Sequence, residues 1–517
     1  MSKALTTPLI RTFNALAFIE KLGDEKNDEK NNLKIADEPV YIFASNIMPW
    51  LDEFNSLPDV ETTEETYNSI KKNMLYVKHI SKNNAHLVIP RHDWKSGTIY
   101  SEWRYDKNML DPANWLSEKQ PPFVFVETTN SDRRILSVFM CISNNANQIS
   151  VTPPSVITHE IFNTADGYSW KYIYDIEVAL YNEWASDKYI PIPHDESEMS
   201  ERHKGVVEDY SKINKNSEFK NITQIKITNE GKGYKPNSNI YVVIEGDGLG
   251  ATAKLTWEKI KKYDEETKQF VETNDQRPVI NITNGGKGYT YAYANIICED
   301  LNEDGLPIVE SPMLTEVSIN PVTFLGQNAL HDLCPYHVSI KASFDGNEGD
   351  IDTEEEDIPT EYINNTLGGH FPTSAPYRRI GLIKNVKTID GTDIYLKKPR
   401  YYDIIKLNNV SGNMNVLSTI KGIESLTKAQ IWYAENINSY EMLLYVIGRT
   451  GNFKLFENDI TKSEYIVDTN SNSTGRICDF IEKNVDQTSG EFLYIENVQP
   501  ISRAIAQEEQ FLFTIEF

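Results

Sequence analysis

Cysteine is scarce. Four residues, Cys141, Cys298, Cys334 and Cys478, are spread through 517 with no Cys-x-x-Cys among them. They are too few and too far apart for a disulfide framework, and a reducing compartment of synthesis is the expectation. Long apolar runs are missing as well, since none reaches the ~18 residues that a membrane span needs. The opening MSKALTTPLIRTFNALAFIEKLGDEKNDEK has no apolar stretch followed by a small-residue cleavage site, so no secretion signal is expected. Basic residues are in deficit, 51 Lys+Arg against 76 Asp+Glu, a net charge of −25. A surface of that sign repels phosphate backbones, which argues against a nucleic-acid binder. Gly-x-Ser-x-Gly, His-Glu-x-x-His and P-loop patterns are all absent.

Aromatic residues are plentiful. The 28 Tyr, 20 Phe and 8 Trp exclude a disordered acidic chain, and the length allows three or four domains. Segments such as HLVIP (86–90), FVFVE (123–127), ILSVFMCI (135–142), YVVIE (241–245), VSIKASF (338–344) and FLFTIEF (511–517) are short, β-branched and aromatic. Asn, Asp, Gly and Pro clusters punctuate them, as turns between strands do. Two helices are expected: Glu64 to Met74, opened by Thr62-Thr63, and a short one over Asp111 to Glu118. The fold class is mainly β, a β-sandwich core with a few peripheral helices, plus inserted small β modules.

Residues 212–320 carry an internal repeat, ITNEGKGY at 227–234 and ITNGGKGY at 282–289. Each copy reads as a strand entering an Asn-x-Gly turn whose glycines take positive φ, with Tyr covering the far side. The first copy continues into VVIEGDGLGATAKL. The second runs into NIICEDLNEDG, so its pairing is expected to differ. Residues 345–361 hold nine carboxylates and no Lys or Arg, a self-repelling loop. Over 384–486 the segments AQIWY, MLLYVIG, GNFKLFE and EYIVD suggest a second β module. The expected organisation is therefore a core in parts (1–211, 321–383 and the returning strands of 487–517) with modules at 212–320 and 384–486.

Three patterns invite a chemical reading. Glycines 246, 248 and 250 in GDGLGA loosely resemble a phosphate-cradling loop, but a strand-like ATAKLTW follows where a helix belongs, so a hairpin turn is the better reading. His331, Cys334 and His337 in HDLCPYH are ligand types three apart. Zinc wants a further ligand pair, none is evident, and a loop leading into VSIKASF is preferred. Asp93, Glu102, Asp106 and Asp111 lie among Trp94, Trp103 and Trp115, a composition found at sugar sites. Trp- and Asp-rich turns around a β core are commoner.

The segments VIPRHDW (88–94), TPP (152–154), DGYSWKYIYDI (166–176), YIPIP (189–193), YRRIGLI (377–383) and GEFLYIENVQPISRAIAQEEQFLFTIEF (490–517) occur in that order. Together with KIADEPVYIFASNIMPW (34–50) they resemble the gene-eight-type baseplate wedge subunits of T-even-like contractile-tailed bacteriophages. This chain is longer than those subunits, and the surplus falls in the two modules. The resemblance implies a β-sandwich virion protein of the tail baseplate, made in the host cytoplasm. It further implies a homodimer that joins other wedge proteins, without enzymatic activity, cofactor or metal. The motif residues it points to are structural: Ile89, Pro90, Asp93, Trp94, Asp166, Gly167, Tyr168, Trp170, Tyr172, Tyr377, Arg378, Glu496, Asn497 and Pro500. Asp166-Gly167-Tyr168 is expected to turn, after which Trp170, Tyr172 and Tyr174 alternate along one strand face. The competing reading is a glycan-binding or glycan-cleaving tail protein.

Overall fold

All six of the β-branched, aromatic segments quoted above lie in strands, and the chain is mainly β. The computed structural model describes residues 6–517 except 24–37, 53, 105–112, 114, 116–119, 131–132, 215–219, 265, 268, 320–324, 345–375, 393–399, 457–458 and 503–506. The acidic block 345–361 and most of the helix expected over Asp111 to Glu118 lie outside the described residues. Among those described, the strands fall into seven sheets, one of them a closed barrel. No described helix is long and apolar enough to cross a membrane. The chain divides into two compact units: 1–16 with 86–339 and 514–517, and 17–85 with 340–513.

In the second unit, the helix Glu64–Lys72 starts where the Thr pair indicates. Thr63 Oγ1 accepts from Thr66 N at 3.2 Å, and acidic residues occupy the first turn and lysines the last, which suits the helix dipole. It stops short of Met74, because Met74–Ile80 is a strand pairing antiparallel with Val40–Ser45. Their sheet runs in the order Met74–Ile80, Val40–Ser45, Tyr377–Lys384, Glu491–Ile501. Val40–Ser45 is buried on both faces, which is why VYIFAS shows no apolar–polar alternation.

The barrel of this unit closes six strands in the order Asp403–Ser411, Met442–Ile447, Lys428–Asn436, Thr419–Gly422, Tyr465–Asp468, Thr474–Ile481. Ile405, Leu407, Ile420, Ile431, Leu444, Val446, Ile466 and Ile477 fill it. AQIWY, MLLYVIG and EYIVD supply strands, but GNFKLFE does not. Phe453 and Leu455 alternate as a strand would and pack against the barrel core. The backbone N–H groups of Lys454 and Phe456 are taken instead by the Glu464 carboxylate (2.7 Å) and Ser463 Oγ (2.9 Å), so no neighbouring strand pairs there.

In the first unit, one sheet orders Phe123–Asn130, Arg133–Ser143, Ser169–Asp175 and Ile161–Asn163. The repeat forms a separate cluster of three strand pairs. In copy one, Ile222–Asn229 leads through GKGY to Ile240–Gly246 and Leu249–Asp264. In copy two, Gln269–Lys287 leads through its GKGY to Ala292–Cys298 and Leu314–Ile319. The pairing is exchanged between copies. The first strand of each pairs with the third strand of the other, and the two middle strands pair together.

The exchange repeats in detail. Asn229 and Asn284 each accept from the glycine N–H two residues on, at 2.9 Å. Thr228 and Thr283 each bond the facing carbonyl of the other copy, at Leu314 and Thr252, where both ladders shift register. Tyr234 accepts from Met313 N (3.2 Å) and Tyr289 from Ala251 N (3.3 Å), so each repeat tyrosine pins the other copy's third strand. The second copy therefore pairs as the first does, contrary to expectation, because turn and tyrosine fix the geometry and the altered NIICEDLNEDG lies beyond them. Tyr234→Phe and Tyr289→Phe should each cost about 1 kcal/mol in urea denaturation, the worth of one such bond. A cost at only one of the two would contradict the equivalence.

Candidate functional site

The DGYSWKY block builds an aromatic cluster in the first unit. Thr164 N donates to Tyr168 O (2.9 Å) and Gly167 N to Thr164 O (3.0 Å), closing the turn between Ile161–Asn163 and Ser169–Asp175. Gly167 sits at φ +81°, and a Cβ there would lie 2.8 Å from Asn145 Nδ2, so both conformation and space demand glycine. Asp166 is fully buried. Its Oδ2 accepts from Ser150 Oγ (3.0 Å), Val151 N (2.8 Å) and Thr152 N (2.9 Å), and its Oδ1 from Thr164 Oγ1 and Tyr168 N.

Tyr168 stacks on Trp170, and Tyr100 meets Trp170 edge-on. Tyr168, Trp170 and Tyr172 are 0% exposed and share a cluster with Tyr100, Val124, Phe139 and Cys141. Burial pushes the phenols of Tyr168 and Tyr172 far above their ordinary range. Tyr174 departs from the expected face. The pairing with Arg133–Ser143 shifts between Val138 and Phe139, opposite Ile173, and the resulting bulge turns Tyr174 out of this cluster. Its hydroxyl bonds Pro191 O at 3.1 Å instead.

The other motif residues lie elsewhere. Ile89 is buried opposite Ile190, and Pro90 faces Tyr189. Asp93 accepts from Arg91 Nε at 2.8 Å, and Trp94 packs beside the aromatic cluster with Nε1 donating to Ser150 Oγ (3.1 Å). In the second unit Tyr377 is buried and the Arg378 guanidinium donates to Ile47 O (2.8 Å). Asn497 accepts from Arg379 (2.7 Å) and donates to Pro58 O (2.6 Å), Glu496 accepts from the Tyr494 hydroxyl, and Pro500 lies in the strand Glu491–Ile501.

Among the described residues, none of the three chemical patterns assembles as a centre. GDGLGA is a strand–turn–strand connection whose Asp247 accepts from the Thr290 hydroxyl and from Thr290 N (2.7 Å), which hold its carboxyl down at about 2. In HDLCPYH, Cys334 is left-handed at the end of the helix Ala329–Leu333 and its thiol donates to His331 O. His337 begins a strand and stacks on Tyr336. Of the acids near tryptophan, Glu102 accepts from Asn144 N (3.1 Å) and pairs with Lys226, and Asp106 and Asp111 lie outside the described residues.

Two features went unread in the sequence. The outer face of the repeat's middle pair carries Tyr241, Tyr291, Tyr293 and Ile297, all about half exposed or more, with Tyr293 at 64%. The alternation of tyrosine with alanine over 291–294 was the available signal, while IYVVIEG reads as one apolar run. The second is a trio, His86, His194 and Glu198, the one group among the described residues whose ligand atoms lie close enough together for a metal ion. Burial alone would raise the Glu198 carboxyl, but hydrogen bonds from His194 and His86 outweigh it and hold it well below the carboxylate range. His194-x-x-x-Glu198 was visible; His86, far upstream, was not.

No family model matches the chain, and no curated protein is similar to it at a level that would show kinship.

Proposed function

We propose that this chain is a structural subunit of a bacteriophage tail baseplate wedge, joining neighbouring wedge proteins through large protein–protein interfaces. The observation that carries the reading is how its side chains are used. The acids and aromatics of the DGYSWKYIYDI block are spent on internal bonds and core packing, while Tyr241, Tyr293 and Tyr494 remain exposed on strand faces. Obligate contacts in such assemblies bury about 2,000 Å² or more around aromatic and aliphatic anchors. The ordered series of segments resembling gene-eight-type wedge subunits supports the same reading. On it the chain is a non-enzymatic homodimer of the virion, made in the host cytoplasm, and its −25 charge keeps unassembled subunits apart and selects basic partner surfaces.

Co-expression with the products of the genes flanking its own is the test. A complex that survives size exclusion is expected, and Tyr241→Ser with Tyr293→Ser should weaken it if the exposed face takes part. Free chain alongside every neighbour would contradict the proposal. The exposed tyrosine face also favours a second reading, glycan binding by ring stacking. That reading requires a rise in melting temperature with host polysaccharide, lost in the same double variant.

A further inference from the structure

The register of Ala85–Pro90 against Tyr189–Pro191 places Val88 opposite Pro191, and Ile192 N donates to Leu87 O at 3.1 Å. The chain leaving Pro191 therefore runs back along the strand and brings His194 beside His86, with ring centroids 5.0 Å apart. A 3₁₀ turn, Glu196–Glu198, follows, capped by Asp195 Oδ1 accepting from Ser197 N (2.7 Å). It returns the Glu198 carboxylate to both rings, with Oε1 3.1 Å from His86 Nε2 and Oε2 2.9 Å from His194 Nδ1.

We propose that His86, His194 and Glu198 form a binding site for one divalent transition-metal ion of the Zn²⁺ type, with the remaining position open to water. His86 makes the strongest argument. Its Nδ1 lies 2.8 Å from Leu87 O, and a carbonyl oxygen only accepts, so the proton sits on Nδ1. With Nδ1 so committed, Nε2 is the ring atom turned to the Glu198 carboxylate, 3.1 Å away, where one cation can bind both. A ligating imidazole whose other nitrogen donates to a backbone carbonyl is the usual outer-shell arrangement of protein zinc.

The dimensions agree. Zn–N and Zn–O bonds of about 2.0–2.1 Å set ligand atoms ~3.3 Å apart in a tetrahedron. Here each ring nitrogen meets a different carboxylate oxygen, at 3.1 and 2.9 Å. One ligand atom from each residue lies within 4.8 Å of the others, within reach of that spacing by small side-chain shifts. His86 is nearly sealed, with the Trp184 ring 5.4 Å away, whereas His194 and Glu198 keep 26% and 20% side-chain exposure, leaving a solvent side for the fourth ligand. Two imidazoles with one carboxylate suit zinc-like ions and disfavour Ca²⁺ and Mg²⁺, which want oxygen. The carboxylate has lone pairs enough to ligate while Oε2 keeps the His194 backbone N–H at 3.0 Å.

The test titrates Co²⁺ into the full-length chain stripped with EDTA, read by visible absorption. One equivalent should develop a low-symmetry Co²⁺ spectrum that Zn²⁺ abolishes and Mg²⁺ does not. His194→Ala and Glu198→Gln should each weaken binding by ~100-fold or more, exceeding the 10–100-fold typical of losing an outer-shell partner. Cys334→Ser, which alters the only other His/Cys-rich segment, should leave it unchanged. Zn²⁺ should raise the melting temperature of the parent chain and not of His194→Ala, whose half-buried position makes it the safer variant to fold. An absent Co²⁺ spectrum, equal affinity in His194→Ala and the parent, or indifference between Zn²⁺ and Mg²⁺ would overturn the site.

Discussion

Asp166→Ala should lower the stability of the first unit by about 3–5 kcal/mol, read as a fall in the urea midpoint. The carboxylate is fully buried and collects five donors, two of them the backbone N–H groups of Val151 and Thr152. Alanine leaves those N–H groups without an acceptor in a place water does not reach, and each buried orphan costs about 1–3 kcal/mol. Asp166→Asn should cost far less. Its amide oxygen can serve the Oδ2 donors and the Thr164 hydroxyl can turn to accept from the new NH₂, so the one bond forfeited is the long one from Tyr168 N, 3.4 Å. If Asp166→Ala cost under 1 kcal/mol, the turn would not depend on this residue.

Acid should destabilise the same unit before its carboxylates titrate. His203, on the helix Glu201–Asn214, is fully buried, and burial lowers its pKa to about 4 against the pull of Asp175; His92 is lowered to about 4 for the same reason. Above the unfolded value near 6.5 both states are neutral and nothing is lost. Between 6.5 and 4 the unfolded chain takes up protons that the folded chain refuses, so stability falls with pH across that window. For His203 the loss is about 3 kcal/mol. Urea midpoints from pH 7 to pH 4 should show it, and His203→Leu should flatten the slope. An unchanged slope in that variant would show that His203 takes its proton inside the fold.

Much of this architecture was legible in the chain. The β-branched, aromatic segments are strands, Thr63 caps the helix that follows it, and the Asn-x-Gly signature predicts both repeat turns, because each depends on residues within a few positions of one another. What depended on distant partners was hidden. One half of the exchange joins residues more than eighty apart, such as Leu314 with Asn229, whereas the other, Leu249–Asp264 with Gln269–Lys287, pairs consecutive strands. A bulge at Ile173 breaks an alternation that DGYSWKYIYDI shows on paper, and GNFKLFE alternates without pairing because side chains of Ser463 and Glu464 take its N–H groups. His86 meets His194 only through a strand register that spacing does not encode. Nothing local told Tyr172 in the cluster from Tyr174 outside it.

If this chain works by fitting against other polypeptides, a second copy of itself is the first partner to seek. Multi-angle light scattering of the purified protein should give twice 59.2 kDa, unchanged on dilution through the micromolar range. A constant 59.2 kDa at every concentration would contradict the account at its centre.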